Sequence, residues 1–456
     1  MPYEGEFAKY RPLRRIVESE KVQGLLGAYH IRDRSGEPSA IEDLITLCDV
    51  QPSDWLPSWV LAIDGSFSPI QLENGYPGAE AAYLTVASVL INTAKVRELD
   101  EARPVNPVAF RTTEQADSVD CAIPGCNIVW EGEETAVDSM RRSLLEVMES
   151  VRLSADGETL LDTYEALLAH KPAVAHEQKC PYEDCPIGAE YRRSNGRYKC
   201  ACMMNRSLYS SDALRHHEGM NAAGQNDAMY AEIMQVFERV WMVHILRTME
   251  AHGWLPMLRH MAIVMDGPLA VYDHPSWISQ SIYKELCRLN EAVRKATGGH
   301  DMLIIGVEKS GAFTRHLADL DTYPNGTRGR FPTQQAALLS DDYIKSRIIF
   351  STSEKTYAQN THYGRKFLYK TKSGALIVAM TPFLDEAHKD LKTAEPDQYP
   401  RLADALSLLD QMVSSRYPDS FAPLVSAHAE ASIPLSIGNK VLESLAKQLM
   451  SNEASV

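Results

Sequence analysis

The 456-residue sequence has no run of about 18 uninterrupted apolar residues, the length that a membrane-spanning helix requires. Residues 1–15 mix acidic and basic side chains without an apolar stretch, so we expect neither a secretory signal nor an N-terminal anchor. Positive charge is also scarce: 46 Lys and Arg accompany 61 Asp and Glu, and the net charge is −15. Such a surface repels phosphate on average, so nucleic-acid contact needs a local basic patch, a bound cation or an assembled partner. We expect a cytoplasmic protein with no membrane partner.

Cysteine is sparse as well, because eight cysteines in 456 residues are too few for a disulfide scaffold. Four of them lie between positions 180 and 202, as two close pairs separated by 14 residues. This spacing suits tetrahedral thiolate coordination of a structural zinc ion by Cys180, Cys185, Cys200 and Cys202. Four unrelated thiols are the alternative. Cys121 and Cys126 either join this cluster or are incidental.

Two short apolar runs are each followed by Asp-Gly. Residues 59–63 precede Asp64 and Gly65, and residues 261–265 precede Asp266 and Gly267. Each run predicts a buried strand that ends in a turn, and residues 82–91 predict a strand antiparallel to the first. If the two Asp-Gly strands are parallel neighbours, both carboxylates emerge at one sheet edge, where they can bind Mg²⁺ or Mn²⁺. The alternative is that each aspartate only caps a turn.

A third acidic ligand is expected from the helix predicted over residues 232–252, which precedes the second Asp-Gly strand. At 100° per residue, Glu238 lies at the border of the apolar face, whereas Glu232 and Glu250 lie on the polar side with Arg239. A carboxylate at a buried border is costly unless it is paired or binds a metal. We predict Glu238 as the third ligand, with a partly solvated ion-pair partner as the alternative.

Basic residues suggest phosphate and nucleic-acid contacts. Lys309 follows a strand predicted at 301–307 and is either a point charge for a phosphate or a surface lysine. Cations alternate with aromatic residues in Tyr191–Arg193, Arg197–Lys199 and Arg365–Lys370, which indicates DNA contact, a solvated loop or, for the last, an exposed strand. Further elements are predicted as helices near 134–170, 276–297, 399–415 and 435–450, and as strands at 346–351 and 366–381.

Four segments, in this order along the chain, resemble the NurA nuclease family: Ala62–Ser66, Val264–Leu269, Ile305–Ser310 and Arg416–His428. The resemblance implies an RNase H-like core, DNA cleavage with Mn²⁺ or Mg²⁺, a dimer, and partnership with a hexameric DNA-translocating ATPase of the HerA type. It also implies that Asp64 and Asp266 bind metal, that Lys309 is the family's lysine, and that His428 is a metal ligand or proton carrier. By itself His428 would be taken as a packing residue.

Together these observations predict an α/β protein: an RNase H-like mixed sheet flanked by helices, with a large inserted zinc-binding-like segment. The expected division is an N-terminal helical segment (1–55), the first part of the core (56–110), an insertion with the cysteine cluster (111–228), and the second part of the core with C-terminal helices (229–456). The predicted function is a metal-dependent DNA nuclease that acts with the ATPase in DNA end processing or phage defence. The alternatives are a non-catalytic adaptor that docks on and regulates the ATPase, and an RNA-directed nuclease of the same fold.

Overall fold

The computed structural model describes residues 16–29, 40–72, 78–93, 95, 114–171, 180–182, 184–185, 196–202, 204–413 and 422–432. The basic segment Tyr191–Arg193, the start of the last family motif at Arg416–Pro418 and the helix predicted at 435–450 lie outside these residues.

The described chain contains ten strands, and eight helices of eight or more residues, and single strands and helices alternate only over residues 227–338. The strands are β1 (Trp59–Leu72), β2 (Ala79–Asn92), β3 (Glu114–Pro124), β4 (Arg197–Lys199), β5 (Ser207–Tyr209), β6 (Met261–Asp266), β7 (Leu303–Glu308), β8 (Gln335–Leu338), β9 (Gly364–Lys370) and β10 (Leu376–Pro382). The helices are α1 (Glu20–Ala28), α2 (Ala136–Ser150), α3 (Leu160–Leu168), α4 (Asp227–Ala251), α5 (Ile278–Thr297), α6 (Ala312–Leu320), α7 (Leu402–Met412) and α8 (Ala422–Ala431). Across the described ranges, no helix combines the length and apolarity needed to cross a bilayer.

Eight strands form one mixed sheet in the order β3-β2-β1-β6-β7-β10-β9-β8. Strands β1, β2 and β3 form an antiparallel meander, and β6 and β7 then add in parallel beside β1. A three-stranded meander whose first strand pairs with a parallel strand, which in turn pairs with a second parallel strand, is the RNase H-like arrangement. The predicted α/β fold, with an RNase H-like mixed sheet flanked by helices, is therefore confirmed. Strands β4 and β5 form a separate hairpin.

The sheet is buried on both faces because its central strands carry apolar residues on both sides. Ile63 and Met265 belong to the larger apolar cluster, with residues of α2, α3, α4 and α5. Their strand neighbours Ala62 and Val264 point to the opposite face and join residues of α7 and α8. This alternation follows from the two-residue period of a strand. The Asp-Gly motifs therefore lie where the parallel pairing of two strands ends, and large apolar layers hold these strands on both faces.

Three sequence predictions change in the region before α4. Strand β1 does not end in a turn at Asp64 and Gly65, because it continues with β2 to Leu72. Residues 114–124, placed in the insertion, form β3 of the main sheet, where Val119, Cys121 and Ile123 alternate with exposed neighbours. The helix near 134–170 is two helices, α2 and α3, and a capping box at Thr159 begins the second.

Two predictions also change after β7. The segment 346–351 is not a strand: Ile344–Ile348 is a helical turn that follows a Ser340 cap. Ile344 and Ile348 are four residues apart and both pack against the cluster that contains Phe313, so helical spacing buries them together. The strand at 366–381 is the hairpin β9–β10.

Candidate active site

Asp64 and Asp266 occupy adjacent positions on neighbouring parallel strands. Strands β1 and β6 pair in register up to Ile63 and Met265, so the two aspartates are the next residue of each strand. Strand β6 ends at Asp266, whereas β1 continues beside β2 only, which opens the sheet at this point. The Asp64 side chain is 3% exposed and the Asp266 side chain 26%. Both predicted carboxylates thus meet at one edge.

The Asp64 carboxylate is held by two hydrogen bonds on the α8 side of the sheet. Its Oδ1 accepts from the Gly65 N–H at 2.8 Å, and its Oδ2 lies 3.0 Å from His428 Nδ1. Burial and the nearby Asp266 charge raise the pKa of Asp64 to about 6, with Lys309, His428 and the Gly65 N–H partly offsetting them. Because ionisation of Asp64 is unfavourable here, a cation that binds beside it would stabilise the ionised carboxylate.

Lys309 and His428 contact the two aspartates from the solvent side. Lys309 follows β7, and its Nζ lies 3.0 Å from Asp266 Oδ1. His428 lies on α8, which packs against β1, β2 and β6. The Lys309 side chain is 40% exposed and that of His428 60%. Both bases can therefore move without breaking the core.

Glu238 reaches β1 from the opposite face, the α4 side. A methyl group built on Gly65 would lie 2.6 Å from Glu238 Oε1, so the carboxylate occupies the space that any side chain at position 65 would fill. Gly65 is thus required for close approach and not for a turn. The structure places Glu238 beside the residue that follows Asp64, with its side chain 6% exposed.

Arg239, which the helical period places on the polar side, is buried and links Glu238 to Asp266. Its guanidinium forms an ion pair with Glu238, and its Nη2 donates to the backbone oxygens of Asp266 at 3.1 Å and Pro268 at 3.0 Å. Sequence reasoning missed this residue because a 25-residue helix buried on several faces carries little amphipathic signal.

The donor set suits a hard divalent cation. Carboxylate oxygens from three elements, with an imidazole beside them, are ligands that Mg²⁺ and Mn²⁺ accept. In the part of the chain that the structure describes, the oxygens of the three acids do not all lie within 4.8 Å of one another. Instead each acid has one base: His428 for Asp64, Lys309 for Asp266 and Arg239 for Glu238. Asp64 and Asp266 fit such an ion once the two exposed bases turn away, whereas Glu238, on the other face of β1, would also have to move from its pair with Arg239.

Residues 59–433 match the family model described as NurA domain. The chain belongs to the NurA family. Similar solved structures include "Crystal structure of the NurA nuclease from Sulfolobus solfataricus", at 10% identity over 97% of this chain and 98% of that chain, with a TM-score of 0.36. Another is "Crystal structure of NurA with manganese", at 12% identity over 96% of this chain and 98% of that chain, with a TM-score of 0.25. A search of curated proteins finds no match.

In this NurA chain the cysteine cluster shares no residue with the carboxylate site. Three ligand atoms, those of Cys180, Cys185 and Cys200, lie within 4.8 Å of one another. Cys121 lies on β3, and Cys126 places its thiol 3.3 Å from the Gly78 carbonyl. Of the two interpretations of Cys121 and Cys126, the structure favours the incidental one.

The basic segments that the structure describes are engaged within the NurA fold. Arg197 pairs with Glu146 and Glu149, and the Lys199 ammonium donates to the Ser207 hydroxyl at 2.9 Å. Strand β9 is buried along its whole length, so the exposed-strand and DNA-contact interpretations of Arg365–Lys370 are wrong. Its cations have internal partners: Arg365 donates to backbone carbonyls, Lys366 pairs with Glu308 and Lys370 with Asp321.

Proposed function

We propose that this NurA-family chain is a divalent-metal-dependent deoxyribonuclease that hydrolyses phosphodiester bonds. The observation that carries the proposal is the adjacency of Asp64 and Asp266 at the open end of two parallel strands, with a lysine and a histidine in contact with them. Membership of the NurA family supports the same function.

Asp64, Asp266 and Glu238 would hold Mn²⁺ or Mg²⁺, with His428 as a further ligand or proton carrier. When bound, the ion supplies Lewis-acid stabilisation of charge that develops on the phosphate oxygens. Arg239 keeps Glu238 in place, since it is buried and tied to two backbone carbonyls. Lys309 is free to exchange Asp266 for a phosphate oxygen, because its side chain is 40% exposed.

His428 is suited to moving a proton at this site. Its Nδ1 lies 3.0 Å from the Asp64 carboxylate, so an ionised Asp64 accepts a hydrogen bond from Nδ1–H and leaves Nε2 as the basic nitrogen. That tautomer allows His428 to take a proton or give one to a leaving oxygen.

We further propose that the chain works as a homodimer with a hexameric HerA-type DNA-translocating ATPase, in DNA end processing or phage defence. The net charge of −15 supports this arrangement, because an acidic protein gains from a motor that delivers DNA to it. The described cations of the predicted DNA-contact segments have internal partners, which is consistent with delivery rather than capture from solution.

The test is cleavage of linear duplex DNA in Mn²⁺, with and without EDTA, by wild type, Asp64→Ala and Asp266→Ala. We expect each alanine variant to lose at least about a thousandfold in rate, since the metal site is incomplete. The exposed Asp397 provides a matched control, and Asp397→Ala should cleave at the wild-type rate. Equal rates in all four proteins would refute a nuclease centred on these aspartates. Binding to the ATPase by an inactive wild type would favour the adaptor, and preference for RNA in competition would favour an RNA-directed nuclease.

A further inference from the structure

The thiols of the cysteine cluster have the spacing of ligands around one tetrahedral metal. Cys200 Sγ lies 3.7 Å from Cys180 Sγ and 3.6 Å from Cys185 Sγ. Four sulfurs at about 2.3 Å from a zinc ion in tetrahedral geometry would lie about 3.8 Å apart. The observed separations are close to that value. All eight cysteines are free thiols, so no disulfide competes for these sulfurs.

Cys202 is the candidate fourth ligand beside the three grouped thiols. Its backbone N–H donates to Cys200 Sγ at 3.4 Å, although its own sulfur does not lie within 4.8 Å of all three thiols. A tight turn sets this geometry: Cys200 N–H donates to the Arg206 carbonyl at 2.8 Å, and Asn205, with φ of 49°, donates to the Cys202 carbonyl at 3.0 Å. A backbone N–H that donates to a thiolate, as that of Cys202 does to Cys200, orients the ligand around a metal.

The apolar core beside the thiols is too small to hold the residues around Cys180 and Cys185 in place, although Tyr198 and Tyr209 of the β4–β5 hairpin pack against the main core. Apart from the cysteines, Leu208 is the buried residue of the cluster, and Tyr182 and Tyr198 are only partly buried. The nearby Asp184–Arg206 pair is exposed on the Asp184 side and contributes little. Small units with so little core need a disulfide or a metal. A structural zinc ion supplies folding free energy directly.

We propose that Cys180, Cys185, Cys200 and Cys202 bind one structural Zn²⁺ ion, which fastens the 180–185 segment to the β4–β5 hairpin. Tyr182 connects that segment to the main body: its hydroxyl donates to the Ser207 carbonyl at 3.0 Å, and its ring lies 5.0 Å from the Arg141 guanidinium of α2. Arg141 is itself fixed by two 2.7 Å hydrogen bonds to Asp212. The zinc site shares no residue with the carboxylate site, so it stands or falls independently of the nuclease function.

The first experiment measures zinc by inductively coupled plasma mass spectrometry in the purified full chain. We expect one zinc per chain in wild type, and a loss of at least fivefold in each of Cys180→Ser, Cys185→Ser, Cys200→Ser and Cys202→Ser. Cys126→Ser is the matched control: Cys126 is buried, and a serine hydroxyl can replace its contact with the Gly78 carbonyl. Wild type that holds no zinc and takes up none from solution would overturn the proposal. Zinc retained by Cys202→Ser would overturn the four-thiolate site.

A second experiment keeps the test decisive if the serine variants do not fold. Wild type is loaded with Co²⁺ in place of zinc, and its absorption spectrum is recorded. Sulfur-to-cobalt charge-transfer bands with the intense visible bands of four-coordinate cobalt would support the proposal, whereas a spectrum of oxygen ligands alone would overturn it. The Asp64→Ala, Asp266→Ala double variant should give the same spectrum, because its thiols are intact. Loss of the charge-transfer bands in that variant would contradict the proposed independence of the two sites.

Discussion

The carboxylate site and the cysteine cluster differ in how much apolar core surrounds them. Asp64 and Asp266 end the parallel part of two central strands that carry apolar layers on both faces. Beside the thiols, by contrast, Leu208 is the buried non-cysteine residue. Packing therefore fixes the carboxylates without an ion, and under the proposed function a bound ion would be available for chemistry. At the thiols, a bound ion would supply folding free energy that a larger apolar core supplies elsewhere.

The two sites also differ in chemistry and in their partners. Carboxylate oxygens select hard ions such as Mg²⁺ and Mn²⁺, whereas thiolates select softer ions such as Zn²⁺. Each of the three acids pairs with a base, and two of those bases are partly exposed. Under the proposed function, a metal and a phosphate would replace these two bases reversibly.

The most direct test of this difference is to disrupt each site separately. We expect Asp64→Asn to lower the cleavage rate at least a thousandfold and to leave zinc content unchanged. Cys200→Ser should do the reverse: it should lose zinc and at least 5 °C of Tm, and cleave within tenfold of wild type well below its own Tm. Parallel loss of activity and zinc in both variants, with both folded, would show that the two sites are one functional unit.

The second prediction concerns how much the ionised Asp64 side chain lowers the free energy of unfolding. The pKa of Asp64 is raised from 3.8 to about 6, so the native state holds this proton more tightly than the unfolded state. Wild type without metal should therefore lose about 3 kcal/mol of unfolding free energy from Asp64 as pH rises from 4 to above 6. Asp64→Asn removes this loss and should be more stable than wild type above pH 6.

Denaturant titrations of metal-free wild type and Asp64→Asn across pH 4–8 measure this difference. The stability gap should grow between pH 4 and 6 and then stay constant, while Asp397→Asn should show no such growth. Saturating Mn²⁺ should stabilise wild type and leave Asp64→Asn unchanged. If the difference in unfolding free energy between the two proteins does not vary with pH, burial and Asp266 do not raise the pKa of Asp64.

Much of the carboxylate site follows from sequence because apolar strands and Asp-Gly motifs are local signals, although the pairing of the two strands is not. The apolar runs at residues 59–63 and 261–265 predict the two strands, and their similar lengths bring Asp64 and Asp266 to the same edge. The role of Gly65 could not be predicted in this way. A glycine after aspartate is typical of a turn, whereas here the approach of Glu238 from another helix requires it. Such contacts depend on tertiary packing, which a single sequence does not display.

The errors elsewhere have the same origin. Arg239 and the cations of Arg365–Lys370 are charged residues that local patterns place in solvent, yet long-range partners hold them inside the protein. The cysteine spacing, in contrast, is a local signal, and the structure brings three of its four thiols within ligand distance. Sequence thus identifies residues with distinctive chemistry better than it identifies the ion pairs that position them.

Gly65 offers a third test, because its replacement would displace the Glu238 carboxylate without removing it. In Gly65→Ala the new methyl group would lie 2.6 Å from Glu238 Oε1 and 2.9 Å from Met234 Cγ, so both flexible side chains must move. We expect the cleavage rate to fall about a hundredfold, with only about 1 kcal/mol lost in stability. The Glu238→Ala variant and the double variant complete a cycle.

If Gly65→Ala acts by displacing Glu238, the alanine at position 65 should have little further effect once Glu238 is gone. The double variant should then cleave at the rate of Glu238→Ala alone. Rates that multiply would show instead that Gly65→Ala acts by a route other than displacing Glu238. Calorimetric titration with Mn²⁺ on the same four proteins would locate the loss in metal binding or in the chemical step.

The smallest predicted effect separates the two partners of Lys309. Lys309→Met removes a cation that pairs with Asp266 at 3.0 Å, so Mn²⁺ should bind more tightly by a few-fold, because it no longer competes with an ammonium. The same change removes a charge proposed for the phosphate, so the rate at saturating Mn²⁺ should fall about tenfold. Lys295→Met, at an exposed helical ion pair with Glu291, should change neither quantity. Weaker metal binding in Lys309→Met would contradict this. It would mean that Lys309 orients Asp266 for the ion, so that Asp266 needs its base in place while the metal is bound.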